Sequence, residues 1–212
     1  LLALDSAKQH LDTSIINLTL AWVSDEKKAD KDIILSVVEK DPSFLQKLSD
    51  ELKSNKEFVF ELIKVNEKNL KYTKLRLTKQ ILLEAIKING AVLWKASDKV
   101  KEDKTIVLEA VKNNGLALEH ASNMLKRDKE VVLEAVKNNG LALQYSSKEL
   151  RNDKEVVLEA IKRDGKSLQY ASAELKNDKE VVLEAVKNNL YSLEYASDKL
   201  KNDKEVVLEA IK

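Results

Sequence analysis

Residues 128–135 read Asp-Lys-Glu-Val-Val-Leu-Glu-Ala, and the same eight residues begin again at Asp153, Asp178 and Asp203, 25 positions apart each time. Self-similarity at a fixed period of this size is the signature of stacked supersecondary units. The phase runs backwards as Asp-Lys-Thr-Ile-Val-Leu-Glu-Ala from Asp103 and Thr-Lys-Gln-Ile-Leu-Leu-Glu-Ala from Thr78. Asn55 opens a unit shortened to 23 residues, and Asp30 opens another of 25. The repeats are 30–54, 55–77, 78–102, 103–127, 128–152, 153–177 and 178–202, followed by a partial repeat over 203–212; they are numbered 1 to 8 below. Residues 1–29 are degenerate units, in which Leu2, Ala3, Leu4, Ala7 and Leu11 match the second half of a repeat. The chain opens on Leu1 inside one unit and stops inside another, with no polar capping repeat at either end. It is therefore expected to be a piece of a longer array, or a stack whose ends are disordered or cut.

Repeat 6 shows what one unit does. Asp153 suits a helix N-cap, because its carboxylate can accept from the unpaired backbone N–H groups of the first turn. Glu155 and Lys162 suit the positive and negative ends of the helix dipole. Val156, Val157, Leu158, Ala160 and Ile161 cover an arc of roughly 200°, about twice what a surface helix buries. Such a helix needs cover from neighbouring repeats on both sides and from a second short helix. Gly165 stands in the same slot as Gly90, Gly115 and Gly140, and all four read as left-handed stops after the helix. Ser172, like Ser97, Ser122, Ser147 and Ser197, is expected to cap a final turn that carries Leu175 inward. The expected fold is an all-α, right-handed-type α-solenoid of about eight 25-residue units, each one α-helix plus a short α or 3-10 helix. The two residues lost from repeat 2 are expected to place a bend there.

Composition narrows the function. Lys+Arg (37) and Asp+Glu (36) leave a net charge of +1, too little field to hold a polyanion or an anionic membrane. Every repeat mixes Lys and Glu evenly, so neither a nucleic-acid nor a membrane partner is expected. The absence of Cys excludes disulfides, thiolate metal sites and a Cys nucleophile. No apolar stretch is long enough to span a bilayer, and nothing resembles a signal peptide, so a cytoplasmic location is expected.

Catalytic patterns are missing. His10 and His120 lie far apart in sequence with no convergent ligands, and every Gly stands at a helix end rather than in a phosphate loop. No enzyme activity, cofactor, metal or small-molecule substrate is expected. The sets Glu130/Glu134/Lys137, Glu155/Glu159/Lys162 and Glu180/Glu184/Lys187 read as a solvated face with i,i+3 pairing. The strongest binding candidate is an aromatic ladder, Tyr145, Tyr170 and Tyr195, one repeat apart with His120 before them. Tyr offers rigid, amphipathic contact area; the competing reading packs these rings between the short helices. Trp94 replaces the Glu or Gln of Glu119, Gln144 and Gln169, and reads as an exposed anchor or a gap filler; Trp22 also departs from the consensus. The pairs after the capping serine vary: Asp98-Lys99, Asn123-Met124, Lys148-Glu149, Ala173-Glu174, Asp198-Lys199. Variation there marks exposure and makes these positions candidates for reading a partner.

The run over 128–145, Asp-Lys-Glu-Val-Val-Leu-Glu-Ala-Val-Lys-Asn-Asn-Gly-Leu-Ala-Leu-Gln-Tyr, resembles a bacterial domain-of-unknown-function helical repeat family, number 4116 in that series. The likeness is close from residue 78 to 212 and fades toward residue 1. The resemblance implies a helical-repeat fold, brings no catalytic residues, and implies a scaffold or host-directed role, including delivery to a host cytosol as an effector. Taken together, a protein- or peptide-binding repeat scaffold is expected. The alternatives are an inert structural spacer or a regulatory segment of a larger enzyme.

Overall fold

The computed structural model describes residues 31–212. The readings of residues 1–29, with His10 and Trp22, lie outside the described residues. Among the described residues every element is helical. Each full repeat opens with a ten-residue α-helix, as in Lys104–Asn113, Lys129–Asn138, Lys154–Arg163 and Lys179–Asn188. A six-residue 3-10 helix follows, as in Gly115–His120, Gly140–Tyr145, Gly165–Tyr170 and Leu190–Tyr195. A third, shorter turn closes the repeat, for example Leu125–Arg127, Leu150–Asn152 and Leu175–Asn177. The α-solenoid reading holds, with three helical pieces in each full unit except repeat 2.

The caps follow from local chemistry. The Asp153 Oδ1 accepts from the Glu155 and Val156 N–H groups at 3.0 and 3.2 Å, and Asp103, Asp128, Asp178 and Asp203 repeat the arrangement. Ser122, Ser147, Ser172 and Ser197 accept from the N–H three residues on, which holds Leu125, Leu150, Leu175 and Leu200 in the core. Ser97 makes no such bond, so the expected cap is absent there.

The glycine reading is corrected by the backbone. No residue among those described has positive φ, glycine included. The helix is stopped by the residue before the glycine. Asn139 is extended (φ −145, ψ 110), its N–H still donates to the Ala135 carbonyl, and its side chain accepts from Leu141 N to start the 3-10 helix. The glycines are needed for space: a Cβ on Gly90, Gly115, Gly140 or Gly165 would collide with the carbonyl oxygen of Ala110, Ala135, Ala160 or Ala185 in the next repeat.

The chain divides into two compact units, with the boundary between Thr78 and Lys79. In the first, Ile34, Val38, Leu45, Phe58 and Leu62 form the core, with Phe44 and Tyr72 packed against it. Pro42 and Leu62 occupy the positions that Gly and Ala hold elsewhere, so the close glycine contact is not used between repeats 1 and 2. Repeat 2 runs from its 3-10 helix, Glu67–Tyr72, to Thr78 without a third turn; the missing pair of residues is taken from that turn. In the second unit the core repeats: Val131, Val132, Ala135, Val136, Ala142 and Leu143 are buried, as are their counterparts in repeats 4 and 6 where apolar.

Candidate functional site

Three sets of side chains and backbone groups join successive repeats, and they determine which surface is left over. At the N-terminal edge of the long helices, Lys104, Lys129, Lys154 and Lys179 each reach the capping Asp of the next repeat at 2.7, 2.7, 2.8 and 2.9 Å. The same ammonium groups lie 2.8, 2.8, 2.8 and 2.9 Å from Glu130, Glu155, Glu180 and Glu205. The hydrogen bonds to Asp, then to Glu, raise the pKa of all four lysines. For Asp128 and Asp153, burial pushes the carboxyl up, but the lysine hydrogen bond and the backbone N–H donors outweigh it and the pKa falls. In Asp178 and Asp203 the lysine bond is itself the leading cause of the decrease.

Of the glutamates expected on a solvated i,i+3 face, Glu130, Glu155 and Glu180 join a clasp between repeats while staying exposed. Lys162 lies 3.8 Å from Glu159, whereas Glu134 with Lys137 and Glu184 with Lys187 form no such pair. Nothing in a local spacing rule points to this clasp, because its partners are 24 and 26 residues apart. The strict recurrence of Lys after the capping position was the available signal.

At the other end of the long helices, Asn113, Asn138 and Asn188 each donate to a carbonyl of the preceding repeat (Lys87, Lys112, Lys162). Each also accepts from the N–H of its glycine, Gly90, Gly115 and Gly165, at 2.7 Å. Arg163 takes the place of the Asn in repeat 6 and donates to the Asn138 carbonyl. A third tie is a backbone bond from Ser122, Ser147, Ser172 and Ser197 to the carbonyls of Lys101, Lys126, Arg151 and Lys176.

The 3-10 helices of repeats 3 to 7 pack on one another in sequence, which brings the ladder residues His120, Tyr145, Tyr170 and Tyr195 into one row. All four are half-buried. The Tyr145 phenol is raised in pKa by burial, then by its hydrogen bond to the Glu119 carboxylate of the preceding repeat. Trp94 is also half-buried. Lys95 lies 5.1 Å above its ring, and its indole N–H is buried with no partner. Two features escaped the sequence reading. Tyr191 is 68% exposed. Beside Tyr145, an open cavity of about 470 Å³ has Lys126, Arg127, Lys148 and Arg151 in its lining. Arg127 was legible as a departure from the Asn of Asn152, Asn177 and Asn202.

No group of three or more His, Asp or Glu side chains among the described residues is placed to hold a metal ion. No helix among them is long and apolar enough to cross a membrane.

The family model described as Domain of unknown function (DUF4116) matches residues 30–77, 78–126, 128–176 and 178–212. The chain belongs to this family. Each complete DUF4116 match spans two of the structural repeats, and the boundary between the first two matches lies one residue from the boundary between the compact units. No curated protein and no solved structure matches this DUF4116 chain.

Proposed function

We propose that this DUF4116 array is a protein- or peptide-binding scaffold with no catalysis of its own. The observation that supports it is the row of half-buried His120, Tyr145, Tyr170 and Tyr195 on consecutive 3-10 helices. These side chains lie on a frame whose capping Asp, following Lys and helix-end Asn are engaged between repeats. Rigid aromatic area at fixed intervals suits an extended partner engaged at many modest contacts. A role as a bacterial effector or interaction module is the finer form of this reading and rests on the family resemblance. The spacer reading draws on the same clasps, which hold the stack together whatever its surface does.

The test is affinity capture on the parent chain and on a Tyr145→Ala/Tyr170→Ala/Tyr195→Ala variant, both verified as folded by circular dichroism. A captured protein is then purified and its affinity for each is measured directly. Binding to the parent that drops at least tenfold in the folded variant is expected. A parent that binds nothing, or a folded variant that binds equally well, removes the ladder as a binding surface.

A further inference from the structure

The Tyr145 cavity differs from the rest of the surface in how its charges are treated. Four cations, Lys126, Arg127, Lys148 and Arg151, line it against a single carboxylate, Glu149, in a chain whose overall net charge is +1. The four lysines of the N-terminal clasp each hold two carboxylates. None of these four cations has an ion-pair partner within 4.0 Å among the described residues. Lys126 and Arg151 are half-buried and Arg127 and Lys148 are exposed, and the Arg151 Nε is buried with no hydrogen-bond partner. Burial pushes the Lys126 pKa down; the Glu119 carboxylate of the same repeat opposes that shift and Lys101 adds to it, and the net direction is downward. Glu149 is engaged first by the Ser147 hydroxyl, and the charges of Arg127 and Lys148 lower its pKa further from beyond ion-pair distance.

The geometry points to this cavity as the docking site for a short extended acidic segment of a protein partner, with at least two neighbouring carboxylates seated between the four cations and beside the Tyr145 ring. This rests on the scaffold reading and gives the partner a chemistry. In an extended strand, side chains two residues apart share a face at about 7 Å, a spacing that a cluster of Arg and Lys can bridge with charge-assisted bonds. A nucleic-acid backbone fits less well, because it needs dense basic charge along many repeats, and away from this step the row of Lys101, Lys176 and Lys201 is diluted by Glu102 and Asp198 at the positions of Arg127 and Lys148. The position of Arg127 is Glu102 in the repeat before and Asn152, Asn177 and Asn202 in those after, and that of Lys148 becomes Ala173. One cation recurs at each step (Lys101, Lys126, Arg151, Lys176, Lys201), and at this step Arg127 and Lys148 are added to it.

The neighbouring repeats also supply substitutions that the fold already tolerates. The variant Arg127→Asn/Lys148→Ala places the residues of repeats 5 and 6 at the same positions and halves the cation count. The probe is a fluorescein-labelled peptide of alternating Glu and Gly, compared with its Gln counterpart and with a single-stranded oligouridylate of matched charge. Fluorescence anisotropy at low salt is expected to show binding of the Glu peptide, none of the Gln peptide, and about a tenfold or greater loss in the double variant. Salt should weaken it steeply. Equal binding of the Gln peptide, unchanged binding by the double variant, or preference for the oligouridylate would overturn the proposal. So would failure of the Glu peptide to bind at all, and the scaffold reading would then still be judged separately by the tyrosine variant.

Discussion

Gly115 and Ser167 show how little room a single position has. Gly115 has negative φ, and Ala is the better helix former, so a local argument expects Gly115→Ala to stabilise. The Ala135 carbonyl oxygen of the next repeat occupies the space of the added methyl group. We therefore expect a loss of about 1–3 kcal/mol from overpacking, read as a lower urea midpoint; an increase would mean that the contact is not tight. Ser167 gives the opposite sign. It stands where Ala117 and Ala142 stand in the earlier repeats, fully buried, with its hydroxyl unpartnered. Ser167→Ala should raise stability by about 1 kcal/mol, and a decrease would show that the hydroxyl has a bond of value. The sequence presented both positions plainly but not their surroundings. A glycine after a helix suits a left-handed stop and a close approach equally well. Only the carbonyl of Ala135, twenty residues on, separates the two.

At the scale of the element, each long helix starts on a residue with two tasks. One oxygen of Asp153 accepts from the first-turn N–H groups, and the other accepts from Lys129 of the previous repeat at 2.7 Å. The two tasks can be separated. Asp153→Asn keeps a good cap and removes the charge, so its cost should stay within the range of exposed ion pairs, about 0–1 kcal/mol. Asp153→Ala loses the cap as well, worth about 0.5–2 kcal/mol more. Chemical denaturation of the two variants measures the difference, and equal losses would mean that the cap contributes nothing. Helix lengths, caps and the inward Leu of the third turn were legible because they follow from neighbours within a few residues. The clasp and the cationic cavity were not, since Lys129 meets Asp153 and Lys126 meets Arg151 only once the stack has formed. The tyrosine row lay between these cases: its spacing was readable, but its half-buried state depended on how the 3-10 helices pack.

For the molecule as a whole, the clasps sum into a pH dependence with a definite sign. Asp128, Asp153, Asp178 and Asp203 have lowered pKa values in the folded chain. Their contribution is present above the unfolded value, about 3.9, and is lost as pH falls through the folded values. Lys104, Lys129, Lys154 and Lys179 are raised. Their contribution is present below about 10.4 and is lost as pH rises through the folded values above that. Urea midpoints should form a plateau with shoulders on both sides. Replacing Lys104, Lys129, Lys154 and Lys179 together with Gln should make both limbs shallower, whereas an acid limb unchanged in that variant would place its cause elsewhere. The ties between repeats reach 20 to 26 residues along the chain, about one repeat each. Removing or copying one whole repeat in register therefore returns nearly every donor to an equivalent acceptor, while a change of one or two residues shifts them all. In hereditary terms, the clasps set the step by which such a gene can lengthen or shorten through duplication and still encode a stack.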